Sequence, residues 1–169
     1  MAFYLTSDVL RAARALVGVS QIQLAEHADV GPNVVRRSEK GGNVFGDALH
    51  KLRSALEASG VTFISGSEIS RADARHCDYL RAGRAFAGMS QADLAAIASI
   101  DQKSISNAEK GRNLTRQTEA SIRKALTQSG VSFNLSGEKI VSVSQKRSKR
   151  PTRTPASKRV KLVEGKHGK

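Results

Sequence analysis

Apolar residues recur along most of the chain at the spacing of short amphipathic helices. Between positions 9 and 16 they fall on one helical face, opposite Arg11 and Arg14. A good N-cap residue, Ser20, and the continuing apolar pattern predict three more helices in the first half of the chain. These helices are expected over residues 21–28, 32–39 and 46–59.

The second half of the chain repeats this layout, with one expected difference at its start. Ser70 and Asp73 predict a capping box ahead of a first helix that is longer than its counterpart. Ser90 is expected to cap the next helix, and two further helices are predicted over residues 102–109 and 116–129.

After the last helix of each half, the apolar period changes from 3.6 to 2. Val61 and Phe63 alternate with a polar residue, and similar alternation predicts strands over residues 131–135 and 140–143. These last two are predicted to form a hairpin around Gly137. Whether the 61–64 segment joins them within one chain or between two chains stays open, and frayed helix ends without a sheet are the alternative.

The two halves are copies of one unit. Residues 10–21 return as residues 80–91, and the offset of 70 holds without a gap over 57 aligned pairs, of which 22 are identical. The Glu-Lys-Gly at residues 39–41 returns at 109–111. The sequence therefore predicts two tandem domains, residues 1–66 and 70–144, followed by a tail over residues 145–169.

Charge separates the tail from the two copies. The chain has 169 residues, 28 Lys and Arg against 15 Asp and Glu, and a net charge of +13. Ten of these basic residues and one acid lie in residues 145–169, so the tail carries +9 and the rest only +4. With Pro151 and Pro155 and few apolar residues, the tail is expected to be disordered. We expect it to hold DNA without sequence preference; a solubilising tail or an import-like signal over residues 155–162 are the alternatives.

Several classes of protein do not fit the sequence. No apolar run approaches the roughly 18 residues of a membrane helix, and the first residues do not form a secretory signal. The single cysteine, Cys77, suits a reducing compartment, and the four histidines show no metal-ligand spacing with it. Catalytic and phosphate-loop motifs are also lacking. We therefore expect a cytoplasmic protein that is not an enzyme and needs no cofactor.

One spacing of residues occurs in both copies, at 20–41 and 90–111. It runs Ser-Gln-x-x-Leu-Ala, then Val or Ile twice at five-residue spacing, then Glu-Lys-Gly, as expected for two short helices joined at a steep angle by a tight turn. Both copies resemble the lambda-repressor-like, or XRE-type, helix-turn-helix DNA-binding family, over about residues 8–130. The resemblance implies a mainly α fold of two tandem helix-turn-helix domains, each followed by a short β segment.

The resemblance also implies that bases are read from the third helix of each unit. Gln and Asn can bond adenine, and Lys and Arg can bond guanine. Two residues of unit one depart from the family pattern: Pro32 offers a base no polar side chain, and Ser38 stands where an apolar residue is usual. The expected base-reading residues are Asn33, Arg36, Arg37, Gln102, Lys103, Ser104, Ser106 and Asn107.

Phosphate contacts are implied at two further places in each unit. One is the start of the second helix, and the other is the segment that follows the third helix. Such contacts fix the register of a protein on DNA without reading its sequence. The expected phosphate-contacting residues are Gln21, Asn43, Gln91, Arg112, Asn113 and Arg116.

Together these features predict a sequence-specific regulator that binds double-stranded DNA at the nucleoid and represses transcription, which is the commoner outcome in the family. Because the two reading sets differ, we expect an asymmetric DNA site. The alternative is an antitoxin or antiactivator that captures a partner protein, with DNA binding secondary. A homodimer formed through the strand segments is a further open arrangement.

Overall fold

The computed structural model describes residues 5–146, and over this range the fold is mainly helical with a small antiparallel sheet. No helix in this range is long and apolar enough to cross a membrane. From residue 147 onward, the predicted basic tail lies outside the described residues. The helices are α1 (Ser7–Val17), α2 (Gln21–His27), α3 (Pro32–Glu39), α4 (Gly46–Ala58), α5 (His76–Ala87), α6 (Gln91–Ala98), α7 (Gln102–Glu109) and α8 (Arg116–Gln128).

The helices predicted from caps and apolar spacing are confirmed to within one or two residues at most of their ends. Ser20 and Ser90 are the N-caps of α2 and α6, and each side chain accepts a hydrogen bond of 3.1 Å from the backbone N–H three residues on. Gln23 and Asp93 return the bond, which completes a capping box in both units. Local sequence thus fixes where the second helix of each unit begins.

The start of the second unit differs from the prediction. The capping box at Ser70 and Asp73 is wrong, because residues Glu68–Arg71 form a strand, β2. Helix α5 begins only at His76, and its first turn is held by a 3.0 Å hydrogen bond from the Arg75 N–H to Asp78. A strand this short shows no alternation that a pattern could reveal.

Four strands form one antiparallel sheet in the order β1-β2-β4-β3. The predicted hairpin is confirmed, since β3 and β4 pair directly. The first strand joins this hairpin within the same chain, through β2, which pairs with both β1 and β4. The strands are β1 (Val61–Ser65), β2 (Glu68–Arg71), β3 (Val131–Ser136) and β4 (Lys139–Gln145).

Tyr79 connects the two middle strands of this sheet. Its ring is buried on α5, and its hydroxyl oxygen lies 2.8 Å from the carbonyl oxygen of Val141 on β4. The same oxygen lies 3.0 Å from the carbonyl oxygen of Arg71 on β2 and accepts a 3.2 Å hydrogen bond from the Arg71 N–H. One side chain therefore satisfies polar backbone atoms of both units where their strands meet.

Helices α1 and α5 pack against each other at the centre of the molecule and form its most extensive helix–helix contact. Both helices carry fully buried residues, among them Leu10 and Leu80. On α5, Gly83 has no space for a side chain, because a Cβ atom there would lie 2.9 Å from the Phe133 ring of β3. The two copies share one continuous apolar core rather than forming separate ones.

An internal pseudo-two-fold axis relates the two units. A shift of 70 residues exchanges β1 with β3 and β2 with β4, and the strand order β1-β2-β4-β3 is the same read from either end. The contacts across the axis are reciprocal, since Gly18 of unit one faces Arg81 and Gly88 of unit two faces Arg11. The chain thus reproduces, inside one polypeptide, the self-complementary interface of a symmetric dimer.

Candidate nucleic-acid interface

In unit one, α3 buries one side and presents polar side chains on the other. Val35 is fully buried against the core, while Asn33, Arg36 and Arg37 are exposed. Pro32 occupies the first helical position, where its missing N–H has no intrahelical partner in any case. The three predicted base-reading residues of this unit therefore all reach the surface on one short helix.

Ser38, which departs from the usual apolar residue, is buried and satisfied locally. Its hydroxyl donates a 2.8 Å hydrogen bond to the backbone carbonyl of Val34, one turn earlier. Its counterpart in unit two, Ala108, is also buried. Both residues are small, so each third helix lies close to the rest of its unit.

In unit two, α7 presents a different set of polar groups. Gln102 and Lys103 are exposed, whereas Ser104, Ser106 and Asn107 are only half-exposed. Ser104 is engaged in the helix cap: its hydroxyl donates to Asp101 at 2.6 Å, and its N–H donates to the same carboxylate at 2.8 Å. Ser104 therefore positions the helix end and has less freedom to contact a base.

Asp101 is a feature that the sequence argument did not single out. The hydrogen bonds from the Ser104 side chain and backbone lower the pKa of its carboxyl, so it stays ionised at the exposed start of α7. Unit one has Gly31 at this position and no side-chain cap on α3. The two third helices therefore differ in charge at their leading ends as well as in their polar side chains.

The exposed cations on these helices are not tied to other parts of the protein. Within residues 5–146, no carboxylate pairs with Arg36, Arg37, Lys103 or Arg112. The exposed residues predicted to touch phosphate are Asn43, Arg112, Asn113 and Arg116, of which Arg116 lies 3.5 Å from Glu138 in a fully solvated pair. Apart from Arg116, these groups can bind an external anion without breaking an ion pair within the described chain.

Gln21 and Gln91 occupy the first positions of α2 and α6, but their side chains point to a carboxylate. Gln21 donates a 2.6 Å hydrogen bond to the buried Glu39, and Gln91 donates one of 2.8 Å to Glu109. A glutamine amide has two N–H hydrogens, so one remains for a phosphate. The carboxylate fixes the direction in which the remaining hydrogen points.

An ion pair that the sequence argument missed stands behind each of these glutamines. The apolar spacing predicts Arg14 on the outer side of its helix, yet Arg14 binds the buried carboxylate of Glu39, and its counterpart Arg84 binds that of Glu109. The signal was present in the repeat, because both members of the pair are identical in the two copies. Amphipathic spacing alone cannot distinguish such an arginine from a solvated one.

Phe45 marks the largest difference between the two units near these helices. Its side chain is 89% exposed at the start of α4, where unit two has Thr115. With Val34, Val44 and Ala48 it lines a mainly apolar depression of about 460 Å³ beside α3, whose wall also includes Arg37 and Asn43. Thr115 caps α8 by accepting a 3.1 Å hydrogen bond from the N–H three residues on, and no side chain caps α4.

The two sets of predicted reading residues lie on separate helices, one in each unit, rather than in one cluster. Within the described range, no group of His, Cys, Asp and Glu side chains is arranged to hold a metal ion.

Comparisons with family models, with curated proteins and with solved structures find no match to this chain.

Proposed function

We propose that this chain is a sequence-specific regulator that binds double-stranded DNA and represses transcription in the cytoplasm, at the nucleoid. The observation that carries the proposal is the presence of unpaired polar and cationic side chains on the exposed sides of α3 and α7. These short helices belong to two lambda-repressor-like helix-turn-helix units, held in one body by the shared sheet. Repression requires only that the bound site be occupied.

The exposed groups have the chemistry of direct readout in the major groove. Arg37 and Lys103 can donate to guanine O6 and N7, and Asn33 and Gln102 can bond adenine through both atoms of the amide. Each well-placed pair of this kind discriminates against a wrong base by about 1–3 kcal/mol. Unit one relies on arginine and unit two on amides and one lysine, so the two half-sites differ in sequence.

The internal two-fold relationship supports a layout like that of a DNA-binding dimer. A dimer of this class reads two half-sites about 34 Å apart on one side of the duplex. Here both reading helices come from one chain, and one chain should therefore occupy one complete site. The unequal reading sets make that site an imperfect inverted repeat.

Selection of bound sequences from random duplexes tests the proposal. The wild-type chain should select a motif with two unequal halves. Changing Asn33 and Arg37 to Ala should degrade one half only, and changing Lys103 and Asn107 to Ala should degrade the other. Lys124→Ala, at an exposed position on α8, is the control for lost charge and should leave the motif unchanged. If neither double variant alters the selected motif, direct readout by these helices is wrong.

One observation favours the second candidate, capture of a partner protein. The mainly apolar depression around Phe45 is an unusual neighbour for a surface that contacts phosphates, and unit two has Thr115 in place of the phenylalanine. Phe45→Thr, which installs the residue of unit two, separates the two functions. Selection of an unchanged DNA motif by this variant would assign the depression to a protein partner rather than to the DNA.

A further inference from the structure

Four arginines line one cleft between the two units. Arg11 and Arg14 come from α1, and Arg81 and Arg84 come from the matching positions of α5. The cleft has a volume of about 360 Å³, and the other side chains that line it are small or apolar. None of the described side chains lining it is acidic; the carboxylates that pair with the four arginines lie outside the lining and belong to Asp8, Glu39, Asp78 and Glu109.

Each guanidinium is fixed from outside the cleft. Arg14 bonds Glu39 through Nε and Nη2, and its Nη1 donates a 2.9 Å hydrogen bond to the carbonyl of Val19. Arg84 is held in the same way by Glu109 and Met89. These bonds fix the orientation of the two planar groups.

Arg11 and Arg81 are held one turn from an acid on their own helix, by Asp8 and Asp78 respectively. Arg81 also reaches across the axis, and its Nε donates a 2.6 Å hydrogen bond to the carbonyl of Ala15. The symmetric bond from Arg11 is not made: its Nε is buried and has no hydrogen-bond partner within the described chain. Arg11 therefore makes two internal hydrogen bonds, to Asp8 and to the carbonyl of Glu39, whereas Arg81 makes three.

We propose that this cleft binds a phosphate group between the two units, with Arg11 and Arg81 as its main donors. Guanidinium groups bond phosphate oxygens with two parallel hydrogen bonds, and each Nη atom of Arg11 and Arg81 carries a second N–H besides the one that bonds its carboxylate or carbonyl partner. The absence of a side chain at Gly18 leaves room for the opposing guanidinium, since a Cβ there would lie 2.9 Å from Arg81 Nη2.

The phosphate can come from DNA or from a small molecule. The cleft borders Val19 and Met89, which lie two residues before the helices that begin at Gln21 and Gln91. These helix starts are expected to face the DNA backbone, so a phosphodiester near the centre of the bound site is one source. That source rests on the proposed function. A free phosphate compound is the other source and does not depend on it.

Binding of inorganic pyrophosphate to the full chain tests the site directly. The Nε–H resonances of Arg11 and Arg81 should shift on titration and reach saturation at constant ionic strength. Arg11→Gln should weaken this binding at least about tenfold, because it removes a charge-assisted donor pair. Lys124→Gln removes a charge elsewhere and should leave the titration unchanged.

Ala85→Glu is a second variant that keeps all four arginines. Residue 85 lies on the wall of the cleft, and Glu is a good helix former, so the change places a carboxylate inside the site without disturbing α5. It should also abolish saturable binding. Resonances that do not respond, or a response that is the same in Arg11→Gln, in Ala85→Glu and in the wild type, would overturn the proposal.

The DNA source is tested by the salt dependence of binding to a selected duplex. If a backbone phosphate occupies the cleft, Arg11→Gln should lower the slope of log K against log salt by about 1, and Lys124→Gln should not. Pyrophosphate binding with an unchanged slope would assign the cleft to a free phosphate compound. Pyrophosphate binding by a chain that binds no DNA would refute the proposed function and leave the phosphate site standing.

Discussion

Arg14 on α1 holds the buried carboxylate of Glu39 on α3 through two hydrogen bonds, of 2.5 Å from Nε and 3.1 Å from Nη2. Arg84 and Glu109 repeat the geometry at 2.5 and 3.0 Å. In each unit this pair fixes the third helix against the first, and it orients the glutamine at the start of the second. The position of the candidate reading helix therefore depends on one charged contact.

Removing the carboxylate should be costly because the arginine would keep its charge without a partner. We expect Glu39→Gln to lower the free energy of unfolding by about 3 kcal/mol, as found for broken buried ion pairs. Urea denaturation measures the loss. Glu57→Gln breaks the solvated pair with Arg53 and should cost no more than about 0.5 kcal/mol. Equal losses in the two variants would contradict the structural role given to Glu39.

Phe45 leaves the first turn of α4 without a side-chain cap. Phe45→Thr should supply the missing hydrogen bond and raise the free energy of unfolding by roughly 0.5–1 kcal/mol. Little apolar burial is lost, since the ring is already 89% exposed. The reciprocal change, Thr115→Phe in unit two, should lower stability by a similar amount. Thermal denaturation of the two variants should show shifts of opposite sign.

Tyr79 links β2 and β4 through its hydroxyl, so loss of the hydroxyl alone should lower the stability of the protein. Tyr79→Phe keeps the buried ring but leaves the Arg71 N–H and the Val141 carbonyl without this partner. The expected cost is about 1–3 kcal/mol. Hydrogen exchange at the Arg71 amide should accelerate by more than exchange at amides within α8. Uniform acceleration throughout the chain would instead indicate a loss of global stability only.

The decrease in the free energy of unfolding at acid pH should depend on Asp78. Burial pushes the pKa of this carboxyl up, but the hydrogen bond from the Arg75 backbone and the charge of Arg81 outweigh it and hold the pKa below its ordinary value. Stability from this group is therefore present at neutral pH and is lost as the pH falls through about 4 and below. Asp78→Asn should be less stable at pH 7 and should lose less stability on acidification. Denaturation midpoints between pH 7 and 3 measure the difference.

The basic tail should raise the affinity for DNA without any preference for sequence. Strand β4 extends to Gln145, whose N–H bonds Ser67, and Lys146 bonds Gly130. A deletion that spares the sheet must therefore begin at residue 147. We expect it to weaken binding to selected and random duplexes by the same factor and to reduce the salt slope. Binding that is unchanged at all salt concentrations would exclude the tail from the DNA contact.

The helices and the hairpin could be predicted because their signals are local. Ser20 and Ser90 cap their helices by contacts three residues away, and the alternation at Val131 and Phe133 follows from one buried side of a strand. Strand β2 could not be predicted, because Ile69 is its only apolar residue and its place depends on partners from both units. The ion pairs of Arg14 with Glu39 and of Arg84 with Glu109 could not be predicted either, because each joins residues that are distant in the sequence.

The candidate site was predictable only in part. The exposed residues of α3 and α7 could be predicted from the repeat and the helical period. Ser104 is hydrogen-bonded to Asp101 in the helix cap, and Gln21 is hydrogen-bonded to Glu39. The helical period of the sequence does not predict these contacts. The four-arginine cleft exists only because α1 and α5 pack across the axis, so its members lie about 70 residues apart in sequence.

Joining the two halves through β2 and β4 makes their association independent of protein concentration. A bimolecular dimer dissociates on dilution, whereas here the second half is always present at the effective concentration of a short linker. Each molecule also contains one copy of each half, whatever its concentration. Mutations that alter one half remain coupled to the other, and this lets the two halves diverge while every molecule keeps one of each.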